Sequence, residues 1–79
     1  MVNRLAQAHL KRAHALLVAR EGGYTVSVRA PVERPTGAEA LCREFETGGG
    51  REAAAGINLL PEWELERFIE AFERAYRAT

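Results

Sequence analysis

The residues best placed to do chemistry in this chain are three adjacent glycines and an arginine, Gly48-Gly49-Gly50-Arg51, which run on into Glu52-Ala53-Ala54-Ala55-Gly56. Successive glycines can take positive φ and leave backbone N–H groups uncovered. A helix starting at Arg51 would aim its own unpaired N–H groups at the same point. Such a constellation suits an anion, phosphate above all. The same residues are compatible with a plain flexible loop, so the reading depends on what else the chain supplies.

It supplies little that could cut a bond. All eleven acidic residues are Glu and there is no Asp, so a hydrolytic metal centre of the Asp/His kind cannot be built here. The two histidines, His9 and His14, lie five apart, which is not the one-turn spacing of a metal pair, and they read as solvated or partly packed side chains. A single cysteine, Cys42, excludes an internal disulfide and reads as a small buried hydrophobe rather than a nucleophile. No catalytic residue, metal ligand or cofactor is therefore assigned within these 79 residues, which make one domain. The net charge of zero argues against a broad electrostatic grip on duplex DNA. Any nucleic-acid contact would be local, made by a few arginines. Every basic residue but Lys11 is Arg, the type that favours bidentate phosphate contacts, although a biased genome composition gives the same preference. The longest apolar run, Ala15 to Ala19, falls far short of the roughly 20 residues of a membrane span. With no signal peptide or lipidation motif, the default expectation is cytoplasmic.

The elements that must position the glycine run follow from periodicity. Asn3 can cap a short helix over Arg4 to Arg12 with Ala6, Leu10 and Ala13 on one stripe, so residues 1–14 read as a connector and 15–79 as the domain core. A continuous helix from Arg4 to Arg20 competes with that reading. Ala15 to Arg20 and Thr25 to Ala30 read as two strands with a Gly22-Gly23 turn, a register that pairs Glu21 with Tyr24, Ala19 with Val26, Leu17 with Val28 and Ala15 with Ala30. One face of this hairpin is apolar; the other carries Ser27 and Arg29 and is either a solvated sheet face or the floor of a binding site. Thr36-Gly37-Ala38-Glu39 reads as a capping box opening a helix with Ala38, Leu41, Cys42 and Phe45 on its apolar stripe. After a short Arg51–Ala55 turn, Gly56 to Leu60 reads as a strand in parallel pairing through a right-handed crossover. Pro61 then opens a final helix with Leu65, Phe68, Ile69, Phe72, Ala75 and Tyr76 in the core and Trp63 packed beside them. The fold class expected is α/β or mixed α+β: a small mixed sheet of three or more strands, built from the hairpin and the parallel crossover strand, packed with two main helices.

Two stretches, Val26-Ser27-Val28-Arg29 and, after Phe45, Gly48 to Gly56, together resemble the C-terminal DHH-associated domain of the DHH phosphoesterase superfamily. That pattern is a strand with Ser-x-Arg, a helix ending in Phe, then a glycine run, His, two residues and Ala-Ala-Gly. The resemblance spans about Ala15 to Tyr76. It implies a domain that closes over the cleft of a separate catalytic domain, one that holds manganese or magnesium through Asp and His residues, and that grips the phosphate or nucleotide end of the substrate. A related domain ends many alanyl-tRNA synthetases and contributes there to tRNA binding. Carried over by position, Gly48, Gly49 and Gly50 would cradle phosphate, Arg29 would reach it from the strand, and Ser27 matches the motif. Arg51 stands where the family has His; it can clamp a phosphate but cannot exchange a proton near neutral pH. Glu46-Thr47 also lengthens the loop by one residue and replaces its first glycine. The ligand implied is a short single-stranded oligonucleotide, a dinucleotide, a nucleotide bisphosphate or tRNA. The contrasting reading is a protein-interaction or structural module with no phosphate ligand.

Overall fold

Buried Ala13, Ala15 and Leu17, then Val26 and Val28, alternate with exposed or half-buried neighbours, and this alternation forms the centre of a sheet. The computed structural model describes residues 5–10, 13–32 and 34–76, the first stretch by its backbone. Five strands, β1 (Leu5–Leu10), β2 (Ala13–Arg20), β3 (Gly23–Arg29), β4 (Gly48–Gly50) and β5 (Ala54–Pro61), lie in the order β1-β2-β3-β5-β4. Helices α1 (Ala38–Cys42) and α2 (Leu65–Tyr76) complete an α+β fold, with a 3-10 turn over Glu62–Glu64 leading into α2. None of the helices among the described residues is long and apolar enough to cross a membrane.

Every strand pairing is antiparallel, so the expected parallel crossover is not formed. Gly48–Gly50 is itself a strand, and the chain reverses at Glu52-Ala53 so that β5 returns between β4 and β3. Two distant bonds hold that reversal: the Ala30 N–H donates to the Ala53 carbonyl at 2.9 Å, and the Ala38 N–H to the Glu52 carbonyl at 3.0 Å. No helix starts at Arg51, and the anion site expected at such a helix end does not exist.

Other elements also differ from the sequence expectation. Leu5–Leu10 is the outer strand β1, paired with β2 from Leu5↔Val18 to Leu10↔Ala13, rather than a connector helix. The proposed Asn3 cap lies outside the described residues. The β2–β3 turn uses Glu21-Gly22 instead of Gly22-Gly23, so Leu17 faces Val26 and Ala15 faces Val28. The reason is a division of labour between the two glycines. Gly22 takes φ 89°, whereas Gly23 passes so close to β5 that a Cβ there would lie 1.9 Å from the Leu60 carbonyl oxygen. A shift of two along one strand preserves face identity, and the apolar and polar faces remain those the alternation predicts.

Thr36 caps nothing. Gly37 stands at the N-cap with φ 96° and no side-chain cap bond, while the Thr36 carbonyl accepts from the Tyr76 hydroxyl at 3.1 Å. The helix α1 ends at Cys42, yet Phe45 is still buried in the turn beyond it. On α2, Phe68, Phe72 and Tyr76 are buried but Ile69 is 43% exposed, and in the 3-10 turn before it Trp63, expected to pack, is 82% exposed. The core joins Ala15 and Leu17 of β2, Val26 and Val28 of β3, and Ile57 and Leu60 of β5 to α1, Phe45 and α2. Each large apolar side chain so buried contributes roughly 1.5–3 kcal/mol.

The edge strand β4 separates two kinds of glycine. A Cβ on Gly48 would sit 1.7 Å from the Cys42 carbonyl oxygen, whereas one on Gly49 would meet nothing within 4 Å. Gly48→Ala should therefore cost about 3 kcal/mol in urea unfolding, at the upper end for overpacking, because backbone rather than a side chain must yield. Gly49→Ala should stay within about 0.5 kcal/mol of the parent.

Candidate functional site

The helices cover one face of the sheet and leave the other open. Cross-strand partners share a face, so the register places Leu16, Ser27, Gly56 and Gly49 in one row across β2, β3, β5 and β4. The next row toward the end of the sheet is His14, Arg29 and Ala54. The Arg51 N–H donates to the Ala54 carbonyl at 2.9 Å, extending this row to a fourth member. Arg29 and Arg51 are thus two strand spacings apart, about 10 Å, with the β5 backbone between them. Two extended arginine side chains can converge on one phosphate across that gap.

Each member arrives there for a local reason. Val28 points into the core, so its neighbours Ser27 and Arg29 point out, and both are exposed. Gly56 is confined by β3, since a Cβ there would approach the Val26 carbonyl oxygen to 2.7 Å. Gly50 takes φ 139°, a left-handed-side conformation that only glycine adopts readily, as the chain leaves β4 for the turn. Only Gly49 has neither constraint. Its bare backbone leaves the floor beside Ser27 flat, and nothing in the fold demands that it be glycine.

The other end of the open face is closed by hydrogen bonding. The register of β3 against β5 slips between Tyr24 and Val26, and the Asn58 carbonyl left outside the ladder accepts from Arg20 Nη1 at 3.1 Å and Thr25 Oγ1 at 3.2 Å. Arg20 is thereby engaged. Arg34 donates to the Ala75 carbonyl, Arg43 pairs with Glu39 at 3.1 Å, and Arg67 pairs with Glu64 at 3.3 Å. Among the described residues the side chains of Arg29, Arg51 and Arg74 have no such partner, and of these only Arg29 and Arg51 share the open face. Glu52, in the same turn as Arg51, places a carboxylate nearby.

The structure thus brings Ser27, Arg29, Gly49 and Arg51 to one surface. Gly48 and Gly50 frame that surface from the edge strand, Gly48 turned toward α1. The sequence reading missed Gly56 and Ala54 as its floor. Extending the strand back from Gly56 to Ala54 would have found them, because Ala54, Gly56 and Asn58 alternate with the core-facing Ala55 and Ile57. Among the described residues no group of three or more His, Cys, Asp or Glu side chains is placed to hold a metal ion. Comparison with protein-family models, with curated proteins and with solved structures found no match.

Cys42 does not belong to this surface. It is fully buried, and burial pushes its thiol up from 9.0 to about 11. Burial also raises the Tyr76 hydroxyl, with Cys42 adding to the effect and Arg34 opposing it. An acid whose folded-state value is raised keeps its proton in the native state while the unfolded chain loses it. Stability should accordingly fall as pH rises from 9 towards 11, by on the order of 2 kcal/mol for the thiol alone. Cys42→Ala should flatten the first part of this alkaline decline in urea titrations, whatever its effect on stability at neutral pH. A thiol reagent should react with the parent only as fast as it opens.

Proposed function

We propose that this chain is a phosphate-recognition domain that resembles the DHH-associated domain, and that it positions a short single-stranded oligonucleotide or nucleotide for a metal-dependent catalytic domain lying outside these residues. The observation that carries the reading is the pair Arg29 and Arg51, without partners among the described residues, at the end of the open face beside the flat Gly49–Gly56 floor. The motif that suggested a helix-end cradle supports a different geometry here. A sheet end supplies the charge, and bare strand backbone supplies the close approach. Charge-assisted bidentate contacts from Arg29 and Arg51 would hold a terminal phosphate, and Ser27 would offer a hydroxyl to its sugar or phosphate oxygens. Arg51 keeps its charge throughout the working pH range, which suits holding and not proton transfer. Manganese or magnesium and the bond-breaking residues would belong to the catalytic domain.

Titration of the labelled chain with a 5′-phosphorylated dinucleotide should shift the amides of Ser27, Arg29 and Gly49 to Arg51. Arg29→Ala and Arg51→Ala should each weaken binding by about tenfold, the equivalent of about 1.4 kcal/mol per lost contact. Gly49→Val should block binding while leaving the fold intact. Glu52→Gln should strengthen it by about twofold, since a nearby exposed carboxylate opposes the anion only weakly. Shifts that survive both arginine substitutions would place the phosphate elsewhere, and metal-dependent phosphodiester cleavage by these residues alone would overturn the reading.

A further inference from the structure

Away from the open face, a groove of about 570 Å³ lies where the turn after α1 meets the end of β5 and the start of α2. Its walls include Glu44, Phe45, Glu46, Trp63, Glu64 and Arg67. Trp63 is the only tryptophan of the chain and is 82% exposed, although a large aromatic at the start of an amphipathic helix ordinarily packs. Its exposure is not forced by lack of neighbours, because the groove is beside it. The groove already holds one cation on an aromatic ring: the Arg67 guanidinium carbon lies 4.3 Å from the Phe45 ring centroid, with Glu64 3.3 Å from its Nη2.

The charges decide what could cover Trp63. Both arginines of the groove wall are neutralised, Arg67 by Glu64 and Arg43 by Glu39. Glu44 and Glu46 are exposed, and among the described residues their carboxylates have no partner. A phosphate-bearing ligand would meet two unneutralised carboxylates here, whereas a cation would meet a free indole face and those same carboxylates. We propose that this groove docks a cationic side chain, an arginine or lysine presented by an extended segment of a partner polypeptide, laid over Trp63 and flanked by Glu44 and Glu46. The contact would repeat, between chains, the arrangement of Arg67, Phe45 and Glu64 within this one. It does not depend on the phosphate reading, since it uses none of the residues of the open face.

Because Trp63 is the only indole, its fluorescence reports on this groove alone. Titrating the chain with an end-blocked Gly-Arg-Gly-Arg-Gly peptide should give a saturable change in that emission at low salt. The Glu44→Gln/Glu46→Gln double variant should bind about tenfold more weakly, and Arg29→Ala should bind as the parent does. In amide spectra Trp63→Ala should abolish the shifts of Glu44 to Thr47 while leaving the rest of the spectrum folded. A linear, non-saturating response, binding undiminished in the glutamate variant, or an equal response to an end-blocked Gly-Glu-Gly-Glu-Gly peptide or to the 5′-phosphorylated dinucleotide would each overturn the proposal.

Discussion

The aromatic row Phe45, Phe68, Phe72 and Tyr76 is the contact on which the sheet depends. Successive ring centroids stand 5.8, 6.2 and 5.5 Å apart, tilted at either end and stacked in the middle, within the range of favourable aromatic pairs. Three of the four rings come from one face of α2, and the fourth from the turn after α1, so the row ties the two helices together over the sheet. Tyr76 adds a polar tie: its hydroxyl donates to the Thr36 carbonyl and fixes the loop that leads into α1. Among the described residues the two helices lie on one face of the sheet. The second face is open as a consequence, and its chemistry is set by whichever side chains alternate away from the rings.

That constraint also explains the distribution of glycine. Gly23, Gly48 and Gly56 each sit where backbone approaches backbone too closely for a Cβ, at Leu60, Cys42 and Val26 respectively. Such close approach lets a short α1 and a three-residue edge strand join a sheet whose core is mostly valine, leucine and alanine. The glycine run is therefore first a packing device. Gly49 alone in the run is free of that duty, and it is the one that shares the outward row of Gly56 and Ser27, two residues before Arg51 on the edge strand. The phosphate contact proposed above uses the one glycine of the run whose smallness the fold does not require.

The sequence made face identity legible and concealed topology. Ser27 and Arg29 could be placed on the polar face because period-two alternation survives an error of turn position. The buried residues Ala38, Leu41, Cys42 and Phe45 could be named although the helix through them stops at Cys42. The reversal at Glu52-Ala53 could not be read, because neither residue is a turn former and the alanines around them favour helix. What selects the hairpin is long-range, namely the bonds from Ala30 and Ala38 to its two carbonyls. Leu5–Leu10 misled in the same way: its composition suits a helix, and pairing with β2 overrides that propensity. Trp63 reads as packed beside the core stripe because a large aromatic there is ordinarily covered, and its 82% exposure is not legible from apolarity alone.

Zero net charge and local anion binding are compatible once the charges are followed individually. Exposed charges act over about 8–10 Å at physiological salt, so the field at any surface point is set by the nearest groups and not by the sum over the chain. Four arginines are engaged by carbonyls or carboxylates that hold loops, helices and the β5 irregularity in place. The open sheet end keeps Arg29 and Arg51, and the groove at Trp63 keeps Glu44 and Glu46. Surfaces of opposite character thus stand on different parts of one small domain. A chain that had to grip a long polyanion would gain from removing the acidic one. A domain that meets one phosphate on its sheet face and a polypeptide on its flank would keep both.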